Sequence, residues 1–296
     1  MVATGAISLF LSVALFMLQN YMRHQSIITD DHLIQSAYDF IVVGSGSAGS
    51  IVASRLAESG QVRVLLLEAG EIAGGNTDIP GAYWLFFNSR IDWNYTHDEG
   101  PVGIGFRHRR IPEKKGRVIG GSGSINTLIY NRGHRRCFDD WAQLFGANGW
   151  TYKEVLPLFK LWENQTDPLL VANGYHGTSG PIQVTTWQKP APIMLLHQQA
   201  VNEMGFKTVD INGPEQFGTM LGQAYIGTDG VRQSSANGYI DPNPYPHNLH
   251  ILANAYVTRI LFEDKRAVGV QYVRNGLKQT VFAKREVIVP SKRQNY

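Results

Sequence analysis

Residues Tyr38–Gly49 read YDFIVVGSGSAG, and the fold follows from this stretch. Its first part, Tyr38–Gly44, is a short, nearly continuous apolar run, the pattern of a strand buried on both faces. Gly44, Gly46 and Gly49 then form a G-x-G-x-x-G turn, with Ser45, Ser47 and Ala48 between them. Ala48, Ile51, Val52 and Leu56 follow at helical spacing, predicting a helix with that stripe against a sheet and Gly60 closing it. Val62–Leu67 (VRVLLL) predicts a second buried strand. Together they make a β-α-β unit of about thirty residues, the size of a right-handed parallel crossover.

The glycines have separate physical tasks. Gly44 permits the tight turn, Gly46 lets backbone approach a pyrophosphate without an intervening Cβ, and Gly49 lets the helix pack close to the strand. The helix N-terminus offers free N–H groups to phosphate oxygens. Glu68 stands at the end of the second strand, 24 positions past Gly44, where a carboxylate can accept both hydroxyls of an adenosine ribose. A dinucleotide site is implied. Nicotinamide and flavin dinucleotides both use this fingerprint, so the choice rests on other residues.

Elsewhere the chain narrows the possibilities more coarsely. Its 296 residues, 43% of them apolar, suffice for one or two domains. A net charge of +3 and a single dense basic run, Arg107–Arg110, point to no nucleic-acid partner. Cys137 is the only cysteine, which excludes an internal disulfide and a cysteine-based metal site. The apolar run Ala6–Leu18 has the length of a signal-peptide core and falls short of the about 20 residues that span a bilayer. Residues 1–25 are therefore expected to be a leader that directs secretion or, alternatively, anchors the chain, with a linker over 26–36. Sequons stand at Asn94 and Asn164.

Along the rest of the chain, residues 70–116 read as loops. Helices are predicted around Phe138, Trp141, Leu144 and Phe145, over Tyr152–Trp162, and from Pro192, with Ile193, Leu196, Ala200, Val201 and Met204 on one face. From Leu249 the segments HILANAYV, TRILFE, AVGVQYV, QTVFA and REVIV read as strands of a β-meander, with turns at Glu263–Arg266 and Asn275-Gly276.

A second motif runs from Gly116 to Asn126 (GRVIGGSGSIN) and continues into TLIYNRGHRRCFDDW. Here the chain resembles the glucose–methanol–choline (GMC) oxidoreductases, whose signature has Gly-Arg-x-aliphatic-Gly-Gly-Ser-Ser-x-aliphatic-Asn. The likeness extends from Tyr38 to Val289. It includes Asp92–Tyr95 (DWNY), Tyr175–Pro181 (YHGTSGP) and Gly230–Pro242, and is closest in look to insect FAD-dependent glucose dehydrogenases. It implies an α/β fold: a Rossmann-like parallel sheet with a β-meander, plus part of an α+β substrate domain. The cofactor implied is FAD. Arg117, Gly121 and Ser122 would follow its pyrophosphate and ribityl chain, Asn126, Thr127, Leu128 and Ile129 would border the isoalloxazine, and the backbone of Val257 would meet the adenine. Residues 37–72 and about 230–296 would be mainly cofactor domain, 110–135 the flavin-contacting loop, and about 150–225 mainly an incomplete substrate domain.

Two departures carry chemical meaning. Gly123 replaces the second serine of Gly-Gly-Ser-Ser. Covalent members carry a histidine just before the motif's Asn, and that position is Ile125, so FAD is expected to be held non-covalently. The family's activity is oxidation of a CH–OH group of an alcohol or sugar, with electrons passed to a quinone, another acceptor or oxygen. Its members are roughly twice this length, and their catalytic histidine lies in the half with no counterpart here. No residue of this chain is therefore assigned as a catalytic base. His97, His108, His134 and His176 have no metal-ligand spacing, and His176-Gly177 reads as a structural turn. The REVI strand runs into Pro290–Tyr296 where the family continues differently, which suggests a truncated form. A catalytically inactive fragment that binds FAD or a partner protein is the alternative.

Overall fold

The computed structural model describes residues 27–97, 103–187 and 189–290, with 11, 12, 14, 15 and 18. Most of the leader 1–25, the start of the linker 26–36 and the tail 291–296 lie outside the described residues. Among those described, no helix is long and apolar enough to cross a membrane. The chain forms two compact units, Met1–Asn126 with Ser234–Tyr296, and Thr127–Gln233.

The first unit is built on a six-stranded sheet. In chain order its strands are β1 (Ala37–Val43), β2 (Val64–Leu67), β3 (Leu249–Leu252), β4 (Tyr256–Glu263), β5 (Arg266–Arg274) and β6 (Leu277–Ile288). Their spatial order is β3-β2-β1-β6-β5-β4. β3, β2, β1 and β6 run parallel, and β6, β5 and β4 form the antiparallel meander. β2 and β3 are buried along their whole length, as continuous apolar runs demand when both faces are covered. Tyr38, Ile41, Leu65, Leu67, Leu252, Val270, Tyr272 and Val281 share one core cluster. Full burial of each leucine among them stabilises by about 1.5–3 kcal/mol.

Both expected meander turns are present and tight. Asn275 and Gly276 have φ of 52° and 75°, the left-handed pair that suits a two-residue hairpin. Two strand boundaries differ from the sequence reading. HILANAYV is broken: the Asn254 and Ala255 N–H groups leave the ladder for the carbonyls of Gly70 and Glu68, so β3 ends at Leu252 and β4 starts at Tyr256. QTVFA and REVIV, conversely, are one strand. The first half of β6 pairs with β5 and the second half with β1, and the charged Lys284 and Arg285 between them sit exposed without breaking it.

The helix Ser47–Ala57 packs on β1 and β2, but not through the predicted stripe. Its buried residues are Gly49, Ser50, Ala53, Ser54 and Ala57, while Ala48 is exposed and Ile51, Val52 and Leu56 are half-buried. Closeness is the cause. A Cβ at Gly49 would lie 1.8 Å from the Gly44 carbonyl oxygen, so only small side chains fit along this face.

The second unit holds a three-stranded sheet of Glu163–Gln165, Ile182–Thr186 and Gln223–Ala224. Its helices include Arg135–Phe145, Tyr152–Trp162 and Pro192–Glu203. A capping box between Thr151 and Glu154 starts the second of these. At the centre lies a buried ion network. His176 is bonded at 2.7 Å through Nδ1 to Glu163 and through Nε2 to Asp210, and the Arg132 guanidinium donates to the other oxygen of Glu163. Burial disfavours the charged His176, but its bonds to Asp210 and Glu163 more than compensate and raise its pKa. Burial likewise works against the Asp210 carboxylate, yet His176 and Asn173 bring it down to about 2. The helix Pro192–Glu203 has the predicted periodicity, but its apolar side stands open, with Ile193 70% and Met204 75% exposed.

Two outcomes follow. Gly49→Ala forces the helix off the strand and lowers unfolding free energy by about 1–3 kcal/mol, despite alanine's better helix propensity, as urea titration will show. For His176, the raised pKa gives stability that is complete below the unfolded value of about 6.5 and lost as pH rises through the folded value. For Asp210 the gain is complete above about 3.8 and lost as pH falls towards about 2. His176 therefore contributes more stability at about pH 5.5 than at about pH 8.5, and His176→Gln, costing about 3–5 kcal/mol at the lower pH, costs less at the higher one, as urea titration at the two pH values will show.

Candidate functional site

The candidate site is a cleft in the first unit at the end of β1. Its volume is about 560 Å³, and it is lined by Gly44, Gly46, Ser47, Glu68, Gly121, Ser122 and Val257 among others. Seven of the residues singled out from the sequence thus face one space. The turn after β1 is fixed from behind by Glu68, which is 6% exposed. Its Oε2 accepts from the Ser45 N–H at 2.8 Å and the Ser45 hydroxyl at 2.9 Å, and its Oε1 from the Gly70 N–H at 2.8 Å. Burial pushes the Glu68 carboxyl up, with these donors and the Arg117 charge pulling the other way. Three of a carboxylate's roughly four acceptor positions are thereby used, which leaves about one for a ribose hydroxyl.

The second glycine motif closes on the first through backbone. The Gly120 N–H donates to the Ser45 carbonyl at 2.9 Å, and a Cβ on Gly121, whose φ is +57°, would stand 2.7 Å from the Gly46 Cα. Around Gly46 itself the space is open: a Cβ there would meet nothing within 4 Å. The Gly46 N-cap of the helix Ser47–Ala57 has no side-chain cap, so its first N–H groups remain available to an anion. Gly123 is not sterically required, since a Cβ there would lie 3.4 Å from the Ser47 hydroxyl, an ordinary contact.

The remaining predicted residues stand elsewhere. Ser45 is wholly buried behind the turn, Gly49 is packed against Gly44, and Ala48 is exposed on the helix. Arg117 is directed at Trp93, its guanidinium 5.1 Å over the indole. Asn126 is the last residue of the first unit, and Thr127, Leu128 and Ile129 open the second. There Leu128 is buried with φ +68°, its carbonyl accepting from the Tyr225 N–H, and Ile129 is 62% exposed. Ile125 is buried in a core cluster with Phe86, Ile91 and Val118. Sequence reasoning missed one wall of the cleft, made of Trp93, Tyr95, Lys115, Tyr256 and Ile260. The DWNY segment was visible as a likeness, but no spacing rule assigns its rings to a ligand.

Residues 38–292 match the family described as GMC oxidoreductase. The chain belongs to this family. It is 39% identical over 256 residues to glucose dehydrogenase [FAD, quinone] of Drosophila pseudoobscura pseudoobscura, covering 85% of this chain and 41% of that protein. It is 40% identical over 261 residues to oxygen-dependent choline dehydrogenase of Paraburkholderia xenovorans (strain LB400), covering 86% and 45%. Ecdysone oxidase of Spodoptera littoralis is 35% identical over 286 residues, covering 95% and 47%. Among solved structures, pyridoxine 4-oxidase from Mesorbium loti superposes with a TM-score of 0.78 at 29% identity, covering 85% of this chain and 48% of that one. Formate oxidase from Aspergillus oryzae RIB40 does so with 0.75 at 28% identity, covering 86% and 45%.

The chain thus spans less than half the length of the curated relatives it matches. FAD is the cofactor that the family and these oxidase structures indicate, which decides between the flavin and nicotinamide dinucleotides. The cleft fits it: an open glycine cradle at the uncapped N-terminus of the helix and a buried acid both line it. Among the described residues no cluster of metal-ligating side chains occurs.

Glu68→Gln puts an amide nitrogen among backbone and hydroxyl donors. It is expected to lower stability by about 1–3 kcal/mol, read as a fall in melting temperature, with Glu68→Ala at least as damaging.

Proposed function

We propose that this chain is the FAD-holding part of an oxidoreductase that takes hydride from the CH–OH group of a small alcohol or sugar. The observation that carries the reading is the pair of glycine turns, Gly44–Gly49 and Gly120–Ser122, meeting through backbone over a single cleft in a chain of GMC sequence. FAD supplies the two-electron acceptor that no side chain offers. The chain's own residues bind and orient it. Gly46 and the helix N-terminus take the pyrophosphate with Gly121, Ser122 and Arg117, Glu68 takes a ribose hydroxyl, and the Val257 backbone takes the adenine. Asn126, Thr127, Leu128 and Ile129 are assigned to the flavin end.

Residues 37–72 and about 230–296 are the cofactor domain in this reading, and about 150–225 part of the substrate domain. Binding is non-covalent, because the position next to Asn126 is Ile125, an apolar side chain committed to the core. His176 does not serve as the base, since both ring nitrogens are held by buried carboxylates. Choice of alcohol or sugar, and of quinone, other acceptor or oxygen, belongs to the whole protein. The leader 1–25 supports entry into the secretory pathway, with membrane anchoring as the other outcome.

A second reading has its own support. The open apolar side of Pro192–Glu203 suits a fragment that binds FAD or a partner without turning over an alcohol. One preparation tests both. The purified chain should bind FAD, and acid precipitation should release all of the flavin into the supernatant. No FAD binding removes the principal reading, and flavin retained in the pellet removes the non-covalent assignment. Reduction of bound flavin by an alcohol or sugar excludes the inactive fragment.

A further inference from the structure

One wall of the cleft is aromatic. Trp93 and Tyr95 stack with centroids 5.6 Å apart and planes 5° from parallel, and the Arg117 guanidinium lies 5.1 Å over the Trp93 ring. A third ring, Tyr256, leans on Trp93 at 6.2 Å and 53°, and it is the most open of the three at 47% exposed. Trp93, Tyr95 and Tyr256 all line the cleft. The Tyr256 backbone is fixed on both sides, paired with Val273 in the meander and preceded by Ala255, whose N–H donates to the Glu68 carbonyl at 2.8 Å. The ring therefore stands at the strand end that carries the ribose acid. In a βαβ dinucleotide fold, that acid marks the adenosine side of the ligand. Two rings 6.2 Å apart and steeply inclined leave no space for a base between them, so a base stacks on an outer face, and Tyr256 is the ring that is both most open and next to the acid's strand end.

We propose that Tyr256, backed by Trp93, is the stacking platform for the adenine ring of FAD. This role rests on the reading of the cleft as the FAD site. Base–aromatic stacking is strong enough that its loss weakens binding about tenfold or more.

The test is calorimetric titration of the full chain and its Tyr256 variants with FAD and with ADP, which carries the adenine without the flavin. Tyr256→Phe keeps the ring and should bind both within about twofold of wild type. Tyr256→Leu keeps apolar bulk without a π-face, and like Tyr256→Ala should bind both about tenfold more weakly. The Phe and Leu pair decides the matter even if the Ala variant does not fold. A Leu variant as tight as wild type overturns the platform, and so does a Phe variant as weak as the Leu variant. Wild-type chain that binds neither FAD nor ADP removes the FAD reading and this role with it. Wild-type binding with indifferent variants removes only the role of Tyr256.

Discussion

The contact on which the first unit depends is the buried carboxylate of Glu68. Through its side chain it holds Ser45 in the turn after β1 and Gly70 beyond β2. Its backbone N–H reaches Leu252 of β3, and its carbonyl accepts from Ala255, which turns the chain into β4. The turn after β1 and the β3–β4 junction, both distant in sequence, therefore converge on one residue. A buried carboxylate loses several kcal/mol of hydration. Charge-assisted hydrogen bonds recover about 1.5–3 kcal/mol each, so three of them return much of that loss, though burial still holds the carboxyl above its ordinary pKa. The same bonds hold the glycine turn rigid before any ligand arrives.

The second unit handles buried charge differently. Arg132, Glu163, His176 and Asp210 alternate in sign, and the backbone around them also contributes: the Gly177 N–H donates to Glu163 and the Tyr175 carbonyl accepts from Arg132. Each charge has an opposite neighbour, which is the condition for tolerating ions in an interior. The interior of this unit therefore holds a polar, directional network beside apolar side chains such as Val155, Ile182 and Val184, whereas the main core cluster of the first is built from apolar and tyrosine side chains of the sheet.

How legible these features were depends on the range of the interaction behind each. The β-α-β unit was readable because strand, turn and helix signals are local, and Asn275-Gly276 announced its hairpin for the same reason. The face of the helix Ser47–Ala57 was misread because hydrophobic periodicity favours large side chains, while the space over Gly44 admits only small ones. GMC membership was legible from Gly116–Asn126, a run whose spacing is unusual enough to identify. The ion network was not, since Arg132, Glu163, His176 and Asp210 have no spacing rule and meet only once a strand end and three loops are folded. Nor was the aromatic wall, for Trp93 comes from a loop and Tyr256 from β4, and nothing in their local sequence brings them together.

The parallel pairing of β1 with β6 joins the two ends of the described chain, Ala37 lying opposite Phe282. The meander β4-β5-β6 consists of neighbours linked by two-residue turns and can form as soon as it leaves the ribosome. β1, by contrast, must wait for one of its two partners until the second unit and the meander have been made. The centre of the sheet, and with it the seating of the glycine turn, is thus completed late, after the inserted second unit has emerged. Until then β1 presents an unpaired apolar edge, the kind of surface that chaperones shield and that seeds aggregation when they do not.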